Sequence, residues 1–149
     1  MHIVLDTNIL FSALIKDSTT RKLILKYGGT FLFPEYIFEE AEKHKDVLLR
    51  KSEMSARDFN RLLALILRKV TIVPSEVLEP YRQEAYEIMK NIDVDDTLFI
   101  ACALAYKGSI IWSNDSQLKK QSRIKIITTA GQDLDLGENR WLDLIRISS

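Results

Sequence analysis

The sequence predicts an α/β fold, a largely parallel sheet with helices on both faces, and three observations predict it. Short runs rich in β-branched and aromatic residues alternate with stretches of helical periodicity. Acidic residues recur where the apolar runs end. One helix, Asp95 to Tyr106, is almost wholly apolar after its acidic start, as befits the buried centre of a layered fold. At 149 residues the chain matches one compact domain and is long enough to bury a core. A single domain over 1–149 is therefore expected, with residues 137–149 as a C-terminal helix or tail.

Taken in order, residues 2–6 read as the first strand and 30–33 as the second. Helical stretches at Ile9 to Leu14 and Arg21 to Tyr27 lie between them, and Gly28-Gly29 stops the latter. Pro34 is expected at the first position of a helix running to about Leu49, because its fixed φ suits that position. Ser55-Ala56-Arg57-Asp58 has the form of a capping box and opens a helix ending near Leu67. Strands at 70–73, 109–113 and 124–128 follow. They are separated by a segment punctuated by Pro74 and Pro80, a helix from Tyr81 to Lys90, and the apolar helix that Gly108 ends.

Composition narrows the function classes. With 46% hydrophobic and 28% charged residues the chain is neither disordered nor fibrous in type. No apolar run nears the roughly 20 residues of a membrane span, and the start lacks signal-peptide features, so a cytoplasmic protein without a membrane partner is expected. Lys plus Arg equal Asp plus Glu at 21 each, so no global basic field advertises nucleic acid. Gathering acids into one pocket would leave the remaining surface more basic. Cys102, set between two alanines, reads as a packing thiol without an internal disulfide partner.

The acids carry the chemistry. Asp6-Thr7-Asn8 follows the first strand, Glu40 lies in an early helix, Asp93-Val94-Asp95-Asp96 opens the apolar helix, and Asp115 follows Ile110-Ile111-Trp112-Ser113. Open α/β sheets keep their sites at strand ends. Carboxylates gathered there at roughly 5 Å repel by about 3 kcal/mol per pair at an effective dielectric of about 20, and a divalent cation would relieve that. At about 100° per residue Ile37, Ala41, His44 and Leu48 face the core, Glu39 points away and Glu40 sits at the border of the buried arc. Glu40 is thus assigned to the site and His44 to structure. Helix capping is the competing account. Thr7 or Asn8 could cap the helix after the first strand, Asn8 could also position Asp6, Asp93 or Asp95 could cap the apolar helix, and Asp115 a short helix from Ser116 to Gln121. Three acids within four residues exceed what a cap needs, which favours a metal role for Asp96. Ser113 is placed to bond a carboxylate or a phosphate.

In order and spacing, four segments together resemble the PIN-domain nuclease family over roughly residues 1–130. They are Ile3 to Leu10 with Asp6-Thr7-Asn8, Pro34 to Ala41 with Glu40, Asp93 to Leu104, and Ile111-Trp112-Ser113-Asn114-Asp115. The resemblance implies a three-layer α/β/α sandwich around a parallel five-stranded sheet of order 3-2-1-4-5. It implies a metal-dependent ribonuclease, often a homodimer, and often the toxin of a VapBC-type toxin–antitoxin pair, with an antitoxin protein as partner. Carried over residue by residue, Asp6, Glu40, Asp96 and Asp115 form the catalytic, metal-holding quartet, with Asn8, Asp93 and Ser113 in support. The chain departs from the pattern where Val94 replaces the proline of Asp-Pro-x-Asp and Asp95 adds a charge, leaving open which of Asp93, Asp95 and Asp96 touches metal. Its fourth motif is closer to Ser/Thr-x-Asp than to the Thr-x-Asn of many toxins.

The expected function is hydrolysis of RNA phosphodiester bonds with one or two Mg²⁺ or Mn²⁺ ions, which oxygen-only ligands suit. Lys16, Arg21 or Lys119 would guide the RNA strand. The alternative is a catalytically idle PIN-like module that binds RNA or a protein, against which a set of mutually repelling acids argues. Dehalogenase-like phosphotransfer wants Asp-x-Asp-x-Thr, where this chain has Asp6, Asn8 and Leu10. A receiver-like fold needs a lysine after a late strand, and Ile126-Ile127-Thr128-Thr129 lacks one.

Overall fold

The computed structural model describes residues 2–15 and 19–129; Lys16 and the expected tail at 137–149 lie outside the described residues. Strands β1 (His2–Leu5), β2 (Thr30–Pro34), β3 (Val70–Val73), β4 (Ile110–Trp112) and β5 (Ile126–Ile127) pair in parallel in the order β3-β2-β1-β4-β5. Both faces of the central strands are covered, so they read as unbroken apolar runs: Ile3 to Leu5, Phe31 to Phe33 and Ile110 to Trp112 are all buried. Val4 is in register with Leu32 on one side and with Ile111 on the other. The chain moves outward from β1 through β2 to β3, then returns to β1's free side as β4. That reversal leaves a crevice at the carboxyl ends of β1 and β4.

Helices α1 (Thr7–Ser12), α2 (Thr19–Lys26), α3 (Ile37–Ser52), α4 (Ala56–Arg68), α5 (Ser75–Leu78), α6 (Arg82–Met89) and α7 (Thr97–Ala105) make the outer layers. Residues Phe99 to Ala103 of α7 are buried in succession, as its apolar sequence requires. Ser55 caps α4 by accepting from the Asp58 N–H at 3.2 Å, as its capping motif predicts. Burial pushes the Cys102 thiol up to about 12, which suits a packing residue. Among the described residues no helix is long and apolar enough to cross a membrane.

Three local expectations are corrected. Pro34 does not start a helix: it is the buried last residue of β2, paired with Val73, and α3 begins at Ile37. Its fixed φ fits an extended strand end as well as a helical first turn. The segment after Pro74 folds as α5 and a 3₁₀ turn, Glu79–Tyr81, with Pro80 tolerated inside that opening turn. Strand β5 is shorter than 124–128, and it begins late because the Gln121 side chain takes the place of a strand partner at Ile124. Its Oε1 accepts from the Ile124 N–H at 2.9 Å and its Nε2 donates to the Ile124 carbonyl at 2.8 Å.

Candidate functional site

Asp6 directly follows β1 and is itself the cap of α1, which moves the start of that helix to Thr7 and displaces Thr7 and Asn8 from the capping role. Its Oδ1 accepts from the Ile9 N–H at 2.9 Å, and its Oδ2 accepts from the Ser113 hydroxyl at the end of β4. The residue is only 4% exposed. Burial raises its pKa, and the bonds from Ser113 and Ile9 oppose that rise. The Ser113 oxygen also accepts from the Asp115 N–H at 3.0 Å, so one buried hydroxyl ties together the acids that follow two adjacent strands.

Asp93, rather than Asp95, caps the 3₁₀ turn Val94–Asp96 that leads into α7: its Oδ1 accepts from the Asp95 N–H at 3.0 Å. Asp115 likewise accepts from the Gln117 N–H at 2.9 Å, ahead of a 3₁₀ turn, Leu118–Lys120, where a short helix was expected. Capping does not exhaust these acids. One carboxylate oxygen from each of Asp93, Asp96 and Asp115 lies within 4.8 Å of the others. Oxygens that share a Mg²⁺ or Ca²⁺-sized ion at about 2.0–2.6 Å can stand no more than about 5 Å apart, so this spacing suits one. Asp96 Oδ2 is buried and has no hydrogen-bond partner among the described residues. Burial first, then the charges of Asp115 and Asp93, lift Asp96 from 3.8 to about 7, with a hydrogen bond to Asp115 and the more distant charge of Asp6 adding to the effect. An orphaned oxygen in a set of oxygen-only donors is what a hard divalent cation would satisfy.

Asp6, Asp95, Asp96, Asp115 and Glu40 line one cleft of about 740 Å³, together with Thr7, Asn8 and Tyr36. Glu40 reaches this cleft but stands apart from the three gathered acids; its oxygens lie 3.5 Å from Lys43 Nζ and 3.6 Å from His44 Nε2. His44 is not the core residue expected from the helical arc. Its side chain is 51% exposed and its ring meets Phe11 at 5.6 Å. Ile37 and Leu48 are buried on either side of it along α3, but His44 itself lines the open cleft.

Tyr36 was not among the residues expected in the site. Its hydroxyl shares a 2.8 Å hydrogen bond with Thr7 Oγ1, and burial, with Glu40, Asp6 and Asp96 nearby, pushes it up to about 12. The phenol therefore stays protonated, and the pair keeps one O–H free to donate into a cleft otherwise rich in acceptors. Lys51 also lines the cleft, whereas Lys119 does not. Arg21 is turned to the backbone instead, its Nε donating to the Ala13 carbonyl at 2.8 Å. The helical spacing of Glu40, His44 and Lys51 was the available signal for that basic residue.

None of the curated proteins matches the chain significantly in sequence. Among solved structures, the fold is similar to a chain in the crystal structure of VapBC2 from Rickettsia felis bound to a DNA fragment from their promoter. The TM-score is 0.61 at 20% identity, covering 86% of this chain and 98% of that one. The family model of the PIN domain matches residues 4–131, which takes in the strand ends and every acid described above, and by that match the chain belongs to the PIN domain family.

Proposed function

We propose that this protein is a divalent-metal-dependent endoribonuclease that hydrolyses RNA phosphodiester bonds. The observation that carries the reading is the buried, unpartnered Asp96 Oδ2 within the group of Asp93, Asp96 and Asp115. Membership of a family whose members are generally nucleases supports it. Asp96 and Asp115, with Asp93, would hold a Mg²⁺ or Mn²⁺ ion, and Asp6 and Glu40 would complete the acidic set from the cleft wall. The chemistry such an ion supplies when bound is charge neutralisation at the phosphoryl oxygens and a lowered pKa for the attacking water. The chain's own residues orient the parts. Ser113 fixes Asp6 and Asp115 relative to each other, the Tyr36–Thr7 pair donates one hydrogen bond to a phosphate or sugar oxygen, and Asn8 stands exposed at the rim.

A toxin role with an antitoxin partner, in the cytoplasm, belongs to the same reading, supported by the fold shared with a VapBC2 chain. The experiment is cleavage of a labelled single-stranded RNA pool in Mn²⁺, with EDTA and Asp96→Asn as controls. Cleavage lost in both controls is expected; a folded protein that cuts equally well as Asp96→Asn would defeat the reading.

A further inference from the structure

The acids occupy only part of the cleft. At about 740 Å³ it is of the size that encloses a whole small molecule, far more than an ion and one phosphate need. Its other wall is a stripe along α3, Glu40, His44, Val47 and Lys51, whose spacing places them on one helical face and spans roughly 16 Å at 1.5 Å per residue. The stripe changes character along its length. Glu40 stands at the acidic end, where Tyr36, one turn earlier, feels Glu40, Asp6 and Asp96 together. Next comes an aromatic pair from two helices, Phe11 of α1 and His44, with ring centroids 5.6 Å apart and planes 62° apart. Lys51 closes the far end. His44 and Val47 are 51% and 40% exposed, so core packing does not account for this wall.

We infer that this wall is a subsite for an unpaired nucleobase, which stacks against Phe11 and His44 while Lys51 meets the phosphate beyond it. The inference rests on the nuclease reading and deepens it. Aromatic faces bind bases with little regard to sequence, and a lysine neutralises one phosphate. The order acid, aromatic, cation repeats the order of reacting phosphate, base and next phosphate along a single strand. Ile15, Leu48, Leu98 and Phe99 also line the cleft, but Glu40 and Lys51 interrupt the continuous apolar stripe that an amphipathic partner helix would ask for.

The test is binding by the Asp96→Asn protein in Mg²⁺, read by fluorescence anisotropy. The probes are a labelled ten-nucleotide adenylate RNA and an abasic strand of the same length and charge. The base-bearing strand should bind about ten-fold more tightly. Phe11→Leu, which keeps apolar bulk, should bring that ratio to about one, and Phe11→Trp should preserve it. Lys51→Gln should weaken both strands equally and lower the slope of log affinity against log salt by about 0.7. Equal binding of the two strands, or a ratio that does not distinguish leucine from tryptophan at position 11, overturns the subsite and leaves the wall to a protein partner. Failure of the nuclease reading looks different: the wild type leaves RNA intact in Mn²⁺ while the base-dependent ratio persists.

Discussion

Asp96 carries the conflict on which the site is built, because it is a carboxyl held among like charges with one oxygen buried and unpartnered. Its folded pKa of about 7 lies above the ordinary 3.8, so between those values the native state binds more protons than the unfolded chain. Asp96's own contribution to stability without metal is therefore fully present below about pH 4 and is lost as pH rises through about 7, and Asp6, also raised, acts in the same direction. Melting curves in EDTA at pH 5 and pH 8 should show the lower Tm at pH 8. Asp96→Asn should flatten that difference and raise Tm at pH 8 while abolishing cleavage; an unchanged pH dependence would mean that Asp96 ionises normally. Ser113→Ala removes the donor to buried Asp6 and the acceptor of the Asp115 N–H. An unsatisfied buried polar group costs about 1–3 kcal/mol, so urea unfolding should show a loss of that size, accompanied by weaker Mn²⁺ binding.

At the scale of elements, the Gln121 clamp sets where β5 begins and indirectly steadies the site, since the Ile127 carbonyl of β5 accepts from the Ser113 N–H at 2.9 Å. Gln121→Leu keeps bulk but strips both Ile124 backbone groups of their partner. A loss of about 2 kcal/mol in chemical unfolding is expected, and a loss under 0.5 kcal/mol would show that water replaces the clamp. The sheet was legible in the sequence because doubly covered parallel strands need unbroken apolar runs, and Ile3 to Leu5 or Ile110 to Trp112 have no other reading. The positions of Asp6 and Asp115 at one crevice were legible for the same reason, since strand ends in a parallel sheet share an edge, whereas Asp96, at the start of α7, was legible as one acid more than a helix cap needs. What escaped was of two kinds. Gln121 bonding the Ile124 backbone three residues on is a local side-chain contact that a β-rich run does not reveal. Tyr36 meeting Thr7 across 29 residues and His44 facing a cleft depend on neighbours that periodicity along one helix cannot supply.

For the whole molecule, a balance of 21 basic and 21 acidic residues conceals a cleft into which acids are concentrated. Binding a cation there should stabilise the fold by mass action, as any ligand restricted to the native state does. It must also displace the proton that Asp96 retains near neutrality, because only the ionised carboxylate binds metal. The most direct measurement is calorimetric titration of Mn²⁺ into the protein at pH 7 in two buffers of different ionisation heat, beside Asp96→Asn. The account predicts saturable binding with release of about half a proton, and loss of both in the variant. Absence of binding, or equal affinity and proton release in Asp96→Asn, would contradict it.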